Sequence, residues 1–182
     1  MDSNKTLEEA YKMIANGNSI VVNVWETELF SLRWWFGVTL SILPWIIWVK
    51  IRDKKKTVRT LFVGLMAMLL SVTMDNLGLI YGLWHYQYKV TPCCAAFFPF
   101  NFSLFPVGVM LILQFNSQIS PYIKALVFAL FSAFIFEPFF IWMKMYHLIH
   151  YKCWYSVFIY IPLYLFFNYI YKSKLFNIET NT

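Results

Sequence analysis

The chain reads as an all-α protein, a polytopic transmembrane bundle of about five helices preceded by a short N-terminal surface helix. Three observations predict this class. Hydrophobic residues fill 60% of the 182 positions and aromatic ones 21%, with a mean hydropathy of +0.56, which is more apolar surface than a soluble domain of this length can bury. Charged residues reach only 13%, about half the usual share. They also cluster between apolar runs instead of interleaving at amphipathic spacing, so the bilayer is the natural solvent and nucleic acid a poor explanation of the net charge of +6.

The first element is the short surface helix. Thr6 with Glu9 three residues on is a capping-box pattern, and Leu7, Ala10, Tyr11 and Ile14 supply a weak apolar stripe. The polar start, with Asp2, Lys5, Glu8, Glu9 and Lys12, does not have the form of a cleavable signal peptide, so the chain is expected to be retained whole.

A spanning helix needs ~20 largely apolar residues. Five stretches qualify, at about Phe30 to Val49, Thr60 to Leu83, Phe97 to Phe115, Tyr122 to Met143 and Trp154 to Tyr171. The third is interrupted by Pro99 and Pro106 and carries Asn101 and Ser103, so a re-entrant or kinked segment is the alternative there. Gln87 to Pro92 and Gln114 to Pro121 read as polar connections. The domain plan is then an extracytoplasmic segment over residues 1–29, a transmembrane domain over 30–171 and a cytoplasmic tail over 172–182.

Orientation follows from the basic residues. Lys50, Arg52, Lys54, Lys55, Lys56 and Arg59 bracket the first connection, and five spans bring Lys124, Lys172 and Lys174 to the same side, which the positive-inside rule makes cytoplasmic. The N-terminus then lies outside the plasma membrane and the C-terminus inside. Membrane lipids are the expected surroundings, and the six basic residues from Lys50 to Arg59 are a surface for anionic lipid, at ~1 kcal/mol each. Trp25, Trp34, Trp35, Trp84, Trp142 and Trp154 on one rim, with Trp45 and Trp48 near the other, read as aromatic belts.

Asp75 and Glu137 are the carboxylates inside the long apolar segments. Asp75 ends a stripe of Gly64, Ala67 and Ser71 that continues to Gly78 and Gly82; Glu137 ends a stripe of Ala125, Ala129 and Ala133 beside Ser132. Both helices run the same way, with Asp75 ~16 residues past Arg59 and Glu137 ~15 past Tyr122, or ~22 to 24 Å at the helical rise, so the two acids are expected at one depth in the outer half. An ionised carboxylate facing lipid costs ~2.5 kcal/mol or more, so each must face the interior, find a partner or take up a proton. The expected site is an outward-opening polar pocket of Arg33, Asp75, Asn76, Asn101 and Glu137 that could bind a cation, relay protons or hold a polar ligand head. Plain structural hydrogen bonding of both acids, worth ~0.6 to 2 kcal/mol per bond, is the competing reading.

His147, His150 and Cys153 have i, i+3, i+6 spacing, which on a continued helix would place donors on one face; His85 or Cys93 and Cys94 could complete a zinc or copper site, although the paired clusters of closed zinc sites are missing. A disulfide from Cys153 to Cys93 or Cys94 is a further option in an oxidising compartment, and free apolar cysteines are the simplest. No cofactor is implied. Phosphate loops, nucleophile elbows and HExxH helices are absent from the sequence.

Met74 to Tyr86 (MDNLGLIYGLWHY), followed by Phe97 to Pro106 (FFPFNFSLFP) and Phe136 to Pro138 (FEP), resembles a family of small, uncharacterised multi-helix membrane proteins of spore-forming Gram-positive bacteria. The resemblance covers most of the chain after Lys56 and implies about five helices with no assigned activity. A narrower stretch is similar to membrane carotenoid cyclase subunits, in which an acid before Gly-x-Trp precedes a Pro-rich helix bearing paired acids. Asp75 and Gly82-Leu83-Trp84 match the first part, but Phe98 to Pro106 offers only Asn101 and Ser103 in place of the paired acids. Cyclisation would therefore have to rest on Asp75 and Glu137.

Three functions stay open at this point. The first is an integral membrane protein that binds a small ligand, ion or partner, including a further copy of itself, through the pocket. The second is a lipid- or isoprenoid-modifying enzyme with Asp75 as acid, Glu137 as stabilising carboxylate, and Trp84, Phe97, Phe98 and Trp142 as walls. The third is a component of a transporter.

Overall fold

In the computed structural model, which describes residues 3–92, 96–115 and 118–173, the described residues form six helices and one short two-stranded sheet. Helix α1 covers Ser3–Glu28, α2 Leu32–Ile51 and α3 Thr57–Ile80. Strand β1 is Trp84–Tyr86. Helix α4 is Phe100–Gln114 and α5 Pro121–Trp142; β2 is Tyr146–Leu148 and α6 Cys153–Tyr171.

Four of these helices, α2, α3, α5 and α6, are long and apolar enough to cross a membrane. The sequence expectation of about five is corrected at α4, which at the helical rise spans only about 22 Å against a hydrocarbon thickness of about 30 Å. Its lost length lies ahead of Phe98, where the Phe97 N–H is bonded to a side chain of α3.

The N-terminal helix is also longer than expected. Apolar residues continue through Ile20, Val21, Val24 and Trp25, and the helix already runs through Thr6, so the capping-box pattern does not mark its start. It is exposed along most of its length. Its end is fastened by the Trp25 indole, which donates to the Val90 carbonyl together with Trp34, each at 3.0 Å. Ser31 then caps α2 through the Trp34 N–H.

Helix packing follows the small-residue stripes. Gly64, Ala67, Ser71, Asp75 and Gly78 are all on the buried side of α3, where Gly64 lies under Met110 of α4 and Gly78 under the Trp84 indole. Ala125, Ala129 and Ala133 are fully buried on α5, which packs chiefly on α6. Between them lies an aromatic core of Phe105, Phe128, Tyr164 and Phe167. In lipid such close approach replaces the hydrophobic drive that water would supply.

The two-stranded sheet is a departure from the all-α expectation. Trp84, His85 and Tyr86 pair antiparallel with Leu148, His147 and Tyr146, joining the end of α3 to the end of α5. The His85 and His147 rings face each other on the exposed side, 4.9 Å apart, while their neighbours Tyr86 and Tyr146 stack on the other. Tyr81, a positive-φ Gly82 and the Leu83 N–H bonded to the Gly78 carbonyl make the turn into β1.

The opposite end collects the basic residues. Lys54, Lys55 and Lys56 are exposed, Asp53 pairs with Lys56 at 3.4 Å, and Arg52 lies over the Trp48 ring. Lys124 closes this end by donating to the Ile112 and Phe115 carbonyls at the C-terminus of α4. Trp48 is buried at 1% exposure beside Val107 and Met110, so it belongs to the core and not to a belt.

A methyl group at position 78 would overlap the Trp84 ring. Gly78→Ala is therefore expected to lower stability by about 1 to 3 kcal/mol, measured as detergent-solubilised thermal unfolding; an unchanged midpoint would refute the close approach.

Candidate functional site

Asp75 lies on the buried face of α3, a turn and a half before the helix ends. Four donors converge on its carboxylate. The Trp84 indole N–H and the Tyr86 hydroxyl donate to Oδ1 at 2.8 and 2.6 Å. The Phe97 N–H and the Asn101 amide donate to Oδ2 at 3.0 and 2.6 Å. Asn101 in turn accepts from the Ser71 hydroxyl. Burial, followed by the Asp75 charge, holds the Tyr86 phenol well above its usual range, so it remains an O–H donor. All four contacts use this carboxyl group as a hydrogen-bond acceptor.

Glu137 is placed by a different device. In α5 the backbone makes a π turn over Ser132–Phe136, in which the Glu137 N–H bonds to the Ser132 carbonyl, immediately before Pro138. Helix α4 repeats the arrangement: a π turn over Phe100–Leu104, with the Phe105 N–H on the Phe100 carbonyl, precedes Pro106. Proline lacks the N–H that would bond four residues back, and the Phe102 carbonyl left open by Pro106 accepts the Trp45 indole at 2.9 Å. These local insertions set the facing of Asn101 and Glu137, as π turns often do at functional sites.

The Glu137 carboxylate has few partners. Tyr160 donates to Oε1 at a long 3.3 Å, while Oε2 is buried with no hydrogen-bond partner among the described residues. The whole residue is 8% exposed. Ser156 and Cys153 of α6 also lie within hydrogen-bonding reach of this carboxyl group, with Ser156 sharing a 3.0 Å hydrogen bond with Tyr151.

Both acids line one cavity of about 100 Å³. Its walls come from α3, β1, α4, α5, β2 and α6, and are largely aromatic, with Trp84, Tyr86, Phe97, Tyr146 and Tyr160 among them. Both carboxyl groups are buried and face the same interior space. Asn101 belongs to the same cavity.

Two other expected members do not. Arg33 is exposed, donates to the Tyr88 hydroxyl and lies over the Tyr88 ring at 4.5 Å; the start of α2 is held at Val90, away from Asp75. Asn76 turns its amide back to the Val72 carbonyl of its own helix at 2.9 Å. Of the aromatic walls proposed for a catalytic site, Trp84 and Phe97 line the cavity, whereas Phe98 stacks on Phe102 and Trp142 is 78% exposed. Trp84 accordingly leaves the aromatic belt.

The metal candidates separate as well. His147 is in β2, His150 in the following bend and Cys153 at the first turn of α6, so no single helix carries the three. Among the described residues no group of three His, Cys, Asp or Glu is arranged to hold a metal ion. Burial, then the nearby His147, keeps His85 below the usual histidine range. Cys93 and Cys94 lie outside the described residues.

The hydroxyl groups of the site escaped sequence reasoning. Tyr86, Tyr146, Tyr151, Ser156 and Tyr160 sit in aromatic-rich stretches whose composition says nothing of facing. The alternation Trp-His-Tyr and Tyr-His-Leu was a legible strand signal, but three residues are too few to stand out. No family model, curated protein or solved structure matches the chain.

Replacing Asp75 by Asn keeps the shape but turns one acceptor oxygen into a donor, so two buried donors lose their acceptor. Asp75→Asn is expected to cost about 2 to 4 kcal/mol in chemical unfolding of the detergent-solubilised protein; a loss below about 0.5 kcal/mol would contradict the four-donor arrangement.

Proposed function

We propose that this is an integral plasma-membrane protein that binds a small molecule in the cavity between α3, α5, α6 and the two-stranded sheet, with Asp75 as the structural acid and Glu137 as the ligand-facing one. The observation that carries this reading is the contrast between the two: one carboxylate holds four donors, the other lines the same cavity with a buried oxygen that has no partner among the described residues. Buried polar groups are normally satisfied, and one that is not marks a place where something else binds. Intramembrane acids are functional sites by default.

The cavity favours binding over the enzymatic alternative, since Asp75, the acid that chemistry would need, is committed as an acceptor. Docking of a partner or a further copy through small-residue stripes draws no support either: the stripes of α3 and α5 are buried within the chain. A transporter component has no observation of its own in its favour.

Purification from native membranes in mild detergent, with mass spectrometry of co-purified small molecules and lipids, tests the reading. A compound enriched with the native protein is expected to fall about tenfold, the equivalent of ~1.4 kcal/mol, with Glu137→Gln at unchanged unfolding temperature. Identical profiles for the two proteins would remove Glu137 from any binding role.

By the positive-inside rule the end bearing Lys50 to Arg59 faces the cytoplasm, in contact with anionic lipid, and the two-stranded sheet faces out. In a chain whose cysteines are replaced by serine, Lys54→Cys should react with an impermeant maleimide only after the membrane is opened. Labelling of intact cells would invert the orientation.

A further inference from the structure

We propose that the ligand recognised in this cavity is a small ammonium group, either a free methylated amine or the headgroup of a lipid. The assignment rests on the ligand-binding reading above and names the chemistry it takes.

Charge is the first argument. Two carboxylates line the cavity, and no Lys, Arg or His is among its lining residues. An anion has no counter-charge there, and a neutral apolar molecule would leave the Glu137 oxygen as unsatisfied as before. An ammonium N–H answers both the charge and the missing hydrogen bond.

The walls are the second argument. Trp84, Tyr86, Tyr146, Tyr151 and Tyr160 surround the acids, and aromatic rings attract a desolvated cation by about 0.5 to 2 kcal/mol each. A hard metal ion would instead require six or more oxygen ligands, which aromatic walls do not supply.

Size and access limit the ligand further. An engineered cavity of about 150 Å³ holds benzene, so about 100 Å³ accepts a group of a few heavy atoms, such as a methylated ammonium. Met74 of α3 and Ile159 of α6 belong to the lining yet are 42% and 38% exposed. The cavity therefore reaches the outer side of the bundle between these helices, about 7 Å below the end of α3 by the helical rise from Asp75 to Ile80. A lipid headgroup at the interface and a free amine can both enter by that route.

The test uses the full chain in nanodiscs of phosphatidylglycerol alone, which carry no ammonium headgroup. Trimethylammonium chloride and its neutral analogue tert-butanol are titrated separately while the NMR signal of the Trp84 indole N–H is followed. Trimethylammonium is expected to give a saturable shift at a concentration at least about tenfold lower than tert-butanol, and Glu137→Gln to weaken trimethylammonium about tenfold without moving tert-butanol. Should Glu137→Gln not fold, Tyr151→Leu serves in its place and should weaken the cation several-fold while sparing the alcohol. Adding phosphatidylethanolamine separates the sources: competition identifies a lipid headgroup, and its absence a free amine. Equal binding of the cation and the alcohol, or a cation shift indifferent to both substitutions, would overturn the ammonium assignment while leaving a small-molecule cavity in place. No saturable shift from either probe would also overturn it, and the co-purification comparison of native and Glu137→Gln protein then decides the ligand-binding reading independently.

Discussion

The arrangement at the sheet end of the bundle depends on one requirement, that the Asp75 carboxylate, held below the end of a membrane-length helix, be surrounded by donors. The four donors come from three stretches of backbone: β1 gives an indole and a phenol, the segment before α4 gives a main-chain N–H, and the π turn of α4 gives an amide. Satisfying one anion thus fixes the descent of β1 over α3 and the low starting point of α4. The shortness of α4 is a consequence of that anchoring, since a chain that must bring the Phe97 N–H to Asp75 cannot also continue as helix to the level where α3 ends.

A second constraint shapes the opposite wall. Prolines at membrane depth leave carbonyls without their usual donors, and irregular backbone is tolerated there only where it is buried in protein or lines a cavity. Both π turns obey this. One exposes a carbonyl that the Trp45 indole takes up, and the two together bring Asn101 and Glu137 to the same space from neighbouring helices. The two acids end with opposite states of satisfaction: Asp75 is surrounded by four donors, while one Glu137 oxygen is buried without a hydrogen-bond partner among the described residues.

Packing elsewhere is conventional for helices in lipid. Small residues bring α3 against α4 and α5 against α6, large rings fill the middle, and Asp75 and Glu137 are the acids buried between them. The walls of the cavity are rings braced by hydrogen bonds at Asp75 and by the stacked Tyr86 and Tyr146 of the two-stranded sheet.

From sequence alone came the helical class, the long apolar segments, the buried stripes of α3 and α5, the clustering of basic residues at one end, and the inward facing of Asp75 and Glu137. All of these follow from composition and from the fixed rise and period of a helix, which make position along the chain a measure of depth and face. Tertiary structure decided the rest: that Arg33 and Asn76 turn elsewhere, that Trp84 and the tyrosines close around the acids, that three-residue strands interrupt the helices, and that α4 falls short. Those outcomes depend on which donor reaches which acceptor across distant segments, and a carboxylate's choice among many aromatic hydroxyls and indoles is written in no local pattern of residues.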